Sequence, residues 1–147
     1  MDKQISPGIF NAFIFLSIAL HFIFPIKLIL DPPYTYFGLV IVLTGLGMNF
    51  WAVNLLKKEK TTTEYKDLPV KLVTSGPFTV SRNPIYLGGV IILLGFAWWL
   101  GSVISFVFPI LLFVILNWFY IPNEEKRLQM IFGERYLKYK QSARRWF

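Results

Sequence analysis

Four runs of 16 to 22 mostly apolar residues, 9–30, 36–56, 85–100 and 102–121, take up more than half of this chain of 147 residues. A helix needs about 20 such residues to cross roughly 30 Å of hydrocarbon. What is left between the runs is too short to wrap a water-soluble core. Only 16% of the residues are charged, against about 25% in soluble domains. The expected fold is therefore an all-α integral membrane protein, one domain over 1–147, with about four transmembrane helices. The first run is long, lacks a small-residue cleavage pattern and precedes three more spans, so it reads as a retained helix rather than a signal peptide. Gly101 and its neighbours alone separate the third and fourth runs, which predicts a tight helical hairpin.

The charges sort by position. Lys57, Lys58, Lys60, Lys66, Lys71 and Arg82 fall in the loop 57–84 with Glu59, Glu64 and Asp67, for a net +3. Lys126, Arg127, Arg135, Lys138, Lys140, Arg144 and Arg145 fall in the tail 122–147 with Glu124, Glu125 and Glu134, for a net +4. Together they carry the whole formal +7. Two spans separate loop from tail, so both lie on one face, and the positive-inside rule makes that face cytoplasmic, with both termini inside. Lys3 lies before the first span, and Lys27, near its outer end, can snorkel to the headgroups.

Gly38 and Gly45 are seven apart on the second span, and Gly88 and Gly95 seven apart on the third; each pair shares a helix face where backbones can approach closely. Pro25 and Pro109 each remove a backbone donor and should kink their helices. The spans contain no carboxylate, which argues against an ion-coupled exporter. His21, Asn49, Asn54 and Asn117 are the notable polar residues inside them, and interhelical hydrogen bonding is the expected role of each. The chain has no cysteine, which removes disulfides, thiolate metal sites and a cysteine nucleophile; no metal site is expected.

Reactive groups collect in the two basic segments. In Leu72-Val73-Thr74-Ser75-Gly76-Pro77-Phe78, Gly76-Pro77 signals a turn. In Ser81-Arg82-Asn83-Pro84-Ile85-Tyr86-Leu87-Gly88, Pro84 opens a helix with Asn83 at the cap position. The free N–H groups of such a helix start can hold an anionic group. After the fourth span, Glu124 follows Tyr120 by four residues and Asn117 by seven, so on an unbroken helix the three share a face. The hairpin brings both clusters out at one membrane surface. Beyond them Leu128, Ile131 and Phe132 form an apolar stripe, Gly133 is a break, and Tyr136 and Tyr139 recur among Lys and Arg. That pattern predicts an amphipathic interfacial helical tail, and a tail tethered to four spans favours a membrane surface over nucleic acid.

The ordered set from Leu72 to Gly88, then Glu124-Glu125, Leu128, Phe132-Gly133, Tyr136, Tyr139 and Arg144-Arg145-Trp146, resembles the isoprenylcysteine carboxyl methyltransferase and phospholipid methyltransferase superfamily over roughly the C-terminal half. The resemblance implies a membrane enzyme that binds S-adenosyl-L-methionine at the cytoplasmic face and methylates a lipophilic acceptor. By matching positions it implies cofactor contacts at Lys71, Leu72, Val73, Phe78, Asn83, Pro84, Ile85, Tyr86 and Glu124; it assigns no catalytic residue. Arg82, between these segments, is expected to support the loop or to meet the cofactor carboxylate. Arg-Asn-Pro, where many members have His in place of Asn83, resembles the bacterial members and implies a prokaryotic cytoplasmic membrane. Tyr120 stands where the prenylcysteine enzymes carry Arg. An acceptor carboxylate would lack its cation there, at a cost of about several kcal/mol, which points away from prenylcysteine. The competing expectation is a non-catalytic multi-pass protein, either a transporter subunit or a module that binds anionic lipid.

Overall fold

A computed structural model describes residues 7–24, 28–61 and 69–147; Lys3, Pro25, Lys27, Glu64, Lys66 and Asp67 lie outside them. The four glycines singled out above form one seam. A Cβ built on Gly45 would lie 2.7 Å from the carbonyl oxygen of Gly88, and one built on Gly95 would lie 2.8 Å from that of Gly38. The two pairs therefore face each other in antiparallel register, joining α2 (Phe37–Lys58) to α4 (Pro84–Leu100) almost backbone to backbone. The described residues form no β-strand.

α1 (Pro7–Ile23) packs against α4 and α5 (Val103–Ile115). It ends seven residues before the first apolar run does. Leu28 pairs instead with Ser102 as an isolated antiparallel bridge, and the amide of Ile29 donates to the carbonyl of Gly101 at 2.8 Å. The described part of the expected first span of 9–30 is thus a shorter helix and, from Leu28, a segment whose backbone partners are in the hairpin turn. Gly101 makes that turn at φ 69°, a conformation that favours glycine.

His21 joins the spans as expected: its Nδ1 lies 2.9 Å from Ser102 Oγ, which is 2.8 Å from Ser105 Oγ. The apolar core between α1, α4 and α5 is built on Leu93, Phe108, Leu112, Leu116 and Ile121. A helical turn at Tyr34–Tyr36 leads into α2, and the short α3 (Pro77–Val80) precedes α4.

Two helices, Tyr34–Lys58 and Val103–Phe132, are long and apolar enough to cross a membrane; Gly8–Ile23 and Pro84–Leu100 are shorter apolar helices. The second long helix differs from the expected 102–121. It runs through a π-helical turn, Leu116–Tyr120, directly into α6 (Ile121–Phe132). Its 30 residues extend about 45 Å, so the charged end projects well past the apolar part. Gly133 then breaks the chain at φ 54°, as its position predicts, and α7 (Glu134–Ser142) follows.

Candidate functional site

Pro84 opens α4 with Asn83 at the N-cap, where the sequence places them, but the Asn83 side chain does not cap the helix. Its Nδ2 donates to the carbonyl of Arg145 at 3.0 Å. Ser81 Oγ donates to the same carbonyl at 3.1 Å, and the Arg82 amide donates to the carbonyl of Arg144 at 2.9 Å. Residues 144–146 lie along the 81–83 loop and supply acceptors that draw the amide away from the helix. The amide of Ile85, in the first turn of α4, is among those that an α-helix leaves without internal partners.

Glu124 and Glu125 are adjacent and have opposite environments. Glu125, 5% exposed, receives three cations. Arg145 binds it through both Nε and Nη2 at 3.1 Å, Lys140 Nζ lies at 3.1 Å, and Arg82 Nη2 at 3.3 Å. The paired bonds of a planar guanidinium are among the stronger charged contacts a carboxylate can make, and burial requires such compensation. Glu124 is hydrogen-bonded to Tyr86, while its Oε2 is buried without a partner among the described residues. Arg82 Nε and Nη1 are likewise buried without partners. The site thus holds a lone acceptor and lone donors beside the start of α4, and burial pushes the Glu124 carboxyl above the usual carboxylate range, an effect that a cation placed against it would oppose.

The expectation that Asn117 shares a face with Glu124 is corrected by the π turn. One extra residue per turn rotates everything beyond it by about 100° relative to an unbroken α-helix. Asn117 therefore faces with Glu125, eight residues on. Arg145 Nη1 reaches Asn117 Oδ1 at 3.2 Å and its carbonyl at 3.4 Å, and Trp146 Nε1 donates to Asn117 Oδ1 at 3.0 Å. The Trp146 ring packs 4.7 Å from that of Phe113.

The apolar face of the tail meets protein: Tyr136 and Tyr139 are buried with Ala143 against Leu72, Phe78, Leu128 and Phe132. Tyr139 donates its hydroxyl to the carbonyl of Phe78 at 2.7 Å. Burial pushes the Tyr136 hydroxyl up to about 12 and raises that of Tyr139 as well. The tail is docked on the loop because these rings have an apolar partner there.

Of the residues the sequence singled out, the structure gathers Arg82, Asn83, Pro84, Ile85, Tyr86 and Glu124 around the start of α4. Leu72 and Phe78 belong to the neighbouring tyrosine cluster, and Val73 is buried. Lys71 is drawn aside by an ion pair with Glu59. Glu125, Arg145 and Asn117 were missed as a unit. The signal available was Arg144-Arg145-Trp146, a cationic and aromatic run well suited to close on a buried carboxylate. Beside Tyr120 a groove of about 630 Å³ opens along the π turn of the long helix, lined among the described residues by Trp118, Phe119, Tyr120, Asn123 and Lys126 with their neighbours.

The described residues thus form a helical fold with two helices long and apolar enough to cross a membrane and a group of charged side chains beside the start of α4. The phospholipid methyltransferase family model matches residues 34–135, and the chain belongs to that family, within the isoprenylcysteine carboxyl methyltransferase-like superfamily. The matched region contains Arg82 to Tyr86 and Glu124 and stops before Arg145. An uncharacterised protein of Haemophilus influenzae is 39% identical over 62 residues, 42% of this chain and 98% of its own length.

Proposed function

We propose that this chain is an S-adenosyl-L-methionine-dependent methyltransferase that serves a lipophilic acceptor at the cytoplasmic surface of a four-span membrane domain. The observation that carries the reading is the pair of orphaned groups, Glu124 Oε2 and the Nε and Nη1 of Arg82. A buried polar group without a partner costs about 1–3 kcal/mol, and the amino-acid end of S-adenosylmethionine, an ammonium beside a carboxylate, satisfies both. Glu124 would hold the ammonium. Arg82, with the amide of Ile85 in the first turn of α4, would hold the carboxylate, Tyr86 would supply an aromatic wall, and Val73 and Phe78 would add apolar lining. Asn83 and Pro84 would shape the entrance at the start of α4, whereas Lys71 would first have to leave Glu59, and Leu72 would act through the tyrosine cluster.

When bound, the cofactor supplies a sulfonium methyl open to in-line displacement. The chain's part is to orient the reactants and exclude water. Glu125 is unsuited to act as a base because three cations hold it ionised and occupied. An anionic acceptor needs no base; an amine acceptor would leave Glu124 or Tyr86 as the groups within reach. The groove at Tyr120, one turn before Glu124 and bordered by the exposed rings of Trp118 and Phe119, offers an acceptor a route from the lipid.

Titration calorimetry in detergent tests the reading directly. Glu124→Gln should fold and lose cofactor affinity by at least tenfold; unchanged affinity for S-adenosylmethionine would sink the assignment.

A further inference from the structure

We propose that Arg145 is the positioning residue of this site: it pins the π turn at Asn117 to Glu125 and thereby fixes the direction in which Glu124 faces. The register of α6 depends on the extra residue held in Leu116–Tyr120. Pro122, just beyond the turn, has no amide to return to the Asn117 carbonyl five residues back or the Trp118 carbonyl four back, so the turn leaves acceptors for a group outside the helix backbone to satisfy. Arg145 does this with one planar group. Its Nη1 donates to the carbonyl and side chain of Asn117, while Nε and Nη2 grip both oxygens of Glu125.

Trp146 donates a further bond to Asn117 Oδ1, and the carbonyl of Arg145 is itself held by Ser81 and Asn83. One residue thus spans the loop before α4, the π turn and α6. If the turn relaxed to α-helix, α6 would rotate by about 100°. Glu125 would leave its cations, and Glu124 would leave Tyr86.

The affinity arm of the test rests on the cofactor reading above; the exchange arm does not. Lysine keeps the charge at position 145 but presents a single point, which cannot lie along Glu125 and reach Asn117 together. In Arg145→Lys, hydrogen exchange in detergent should accelerate across 116–120 while α2 and α4 keep wild-type protection, and S-adenosylmethionine affinity should fall at least fivefold. Lys140→Ala, which removes a partner of Glu125 without touching the π turn, should leave both unchanged.

Asn117→Ala supplies the same comparison should Arg145→Lys fail to fold. Wild-type exchange over 116–120, or faster exchange spread equally through α2 and α4, overturns the proposal. So does wild-type affinity in Arg145→Lys. Absence of cofactor binding in the wild-type protein would instead remove the functional reading and leave the exchange result to decide the role of Arg145.

Discussion

At Gly88 a hydrogen is all the space allows. A methyl there would run into the side-chain oxygen of Asn49 and come within 2.9 Å of the carbonyl of Gly45. Gly47, two positions further along α2, has nothing within 4 Å of the same addition. Gly88→Ala should therefore destabilise the α2–α4 pair by about 1–3 kcal/mol, as overpacking does. Gly47→Ala should be neutral or stabilising by up to about 1 kcal/mol, since alanine is the better helix former. Thermal unfolding of the two variants in detergent provides the comparison; equal effects would refute the seam. The same resolution applies to Glu124 and Glu125, where one step along the helix separates a carboxylate with one unpartnered oxygen from one that is triply paired.

At the scale of elements, α7 is held by its two tyrosines. The Tyr136 hydroxyl ionises near pH 10 in an unfolded chain and near 12 in the folded one, chiefly because burial disfavours the phenolate. The docked state binds its proton more tightly than the unfolded one, so the stabilisation is complete below pH 10 and is lost as pH rises through 12. Fluorescence or exchange at α7 should report its release between these limits; release of α7 near neutral pH would contradict the burial. The glycine seam, the Gly101 hairpin, the Pro84 helix start and the Gly133 break were legible because each rests on a local rule about spacing or backbone conformation. The π turn was legible only in part: Pro122, just beyond it, has no amide for the Trp118 carbonyl and disturbs the preceding turn, but nothing local says that the turn widens, and Arg145, which meets the Asn117 carbonyl, lies 28 residues beyond it. The burial of Tyr136 and Tyr139 was hidden for a similar reason: alternation with Lys and Arg looks the same whether the apolar face meets lipid or a docked loop.

For the molecule as a whole, the distribution of charge makes a topological prediction that the sequence is unusually well equipped to test. The chain has no cysteine, so each introduced thiol is unique. Lys60→Cys, just past α2, and Lys138→Cys, in α7, should both react with a membrane-impermeant maleimide in inside-out vesicles and resist it in right-side-out ones. Labelling of the two from opposite sides would exclude an even number of crossings between them.

The contacts of residues 144–146 also fix an order of events. They tie the loop at 81–83 to the long helix at 117 and 125, yet they are synthesised after every segment they join. At roughly 5–20 residues per second, the apolar helices emerge and enter their environment while Glu125 and Asn117 still await their guanidinium. The surface site is thus completed only when translation has passed Arg145, and until then the nascent protein is a set of inserted helices without a finished pocket.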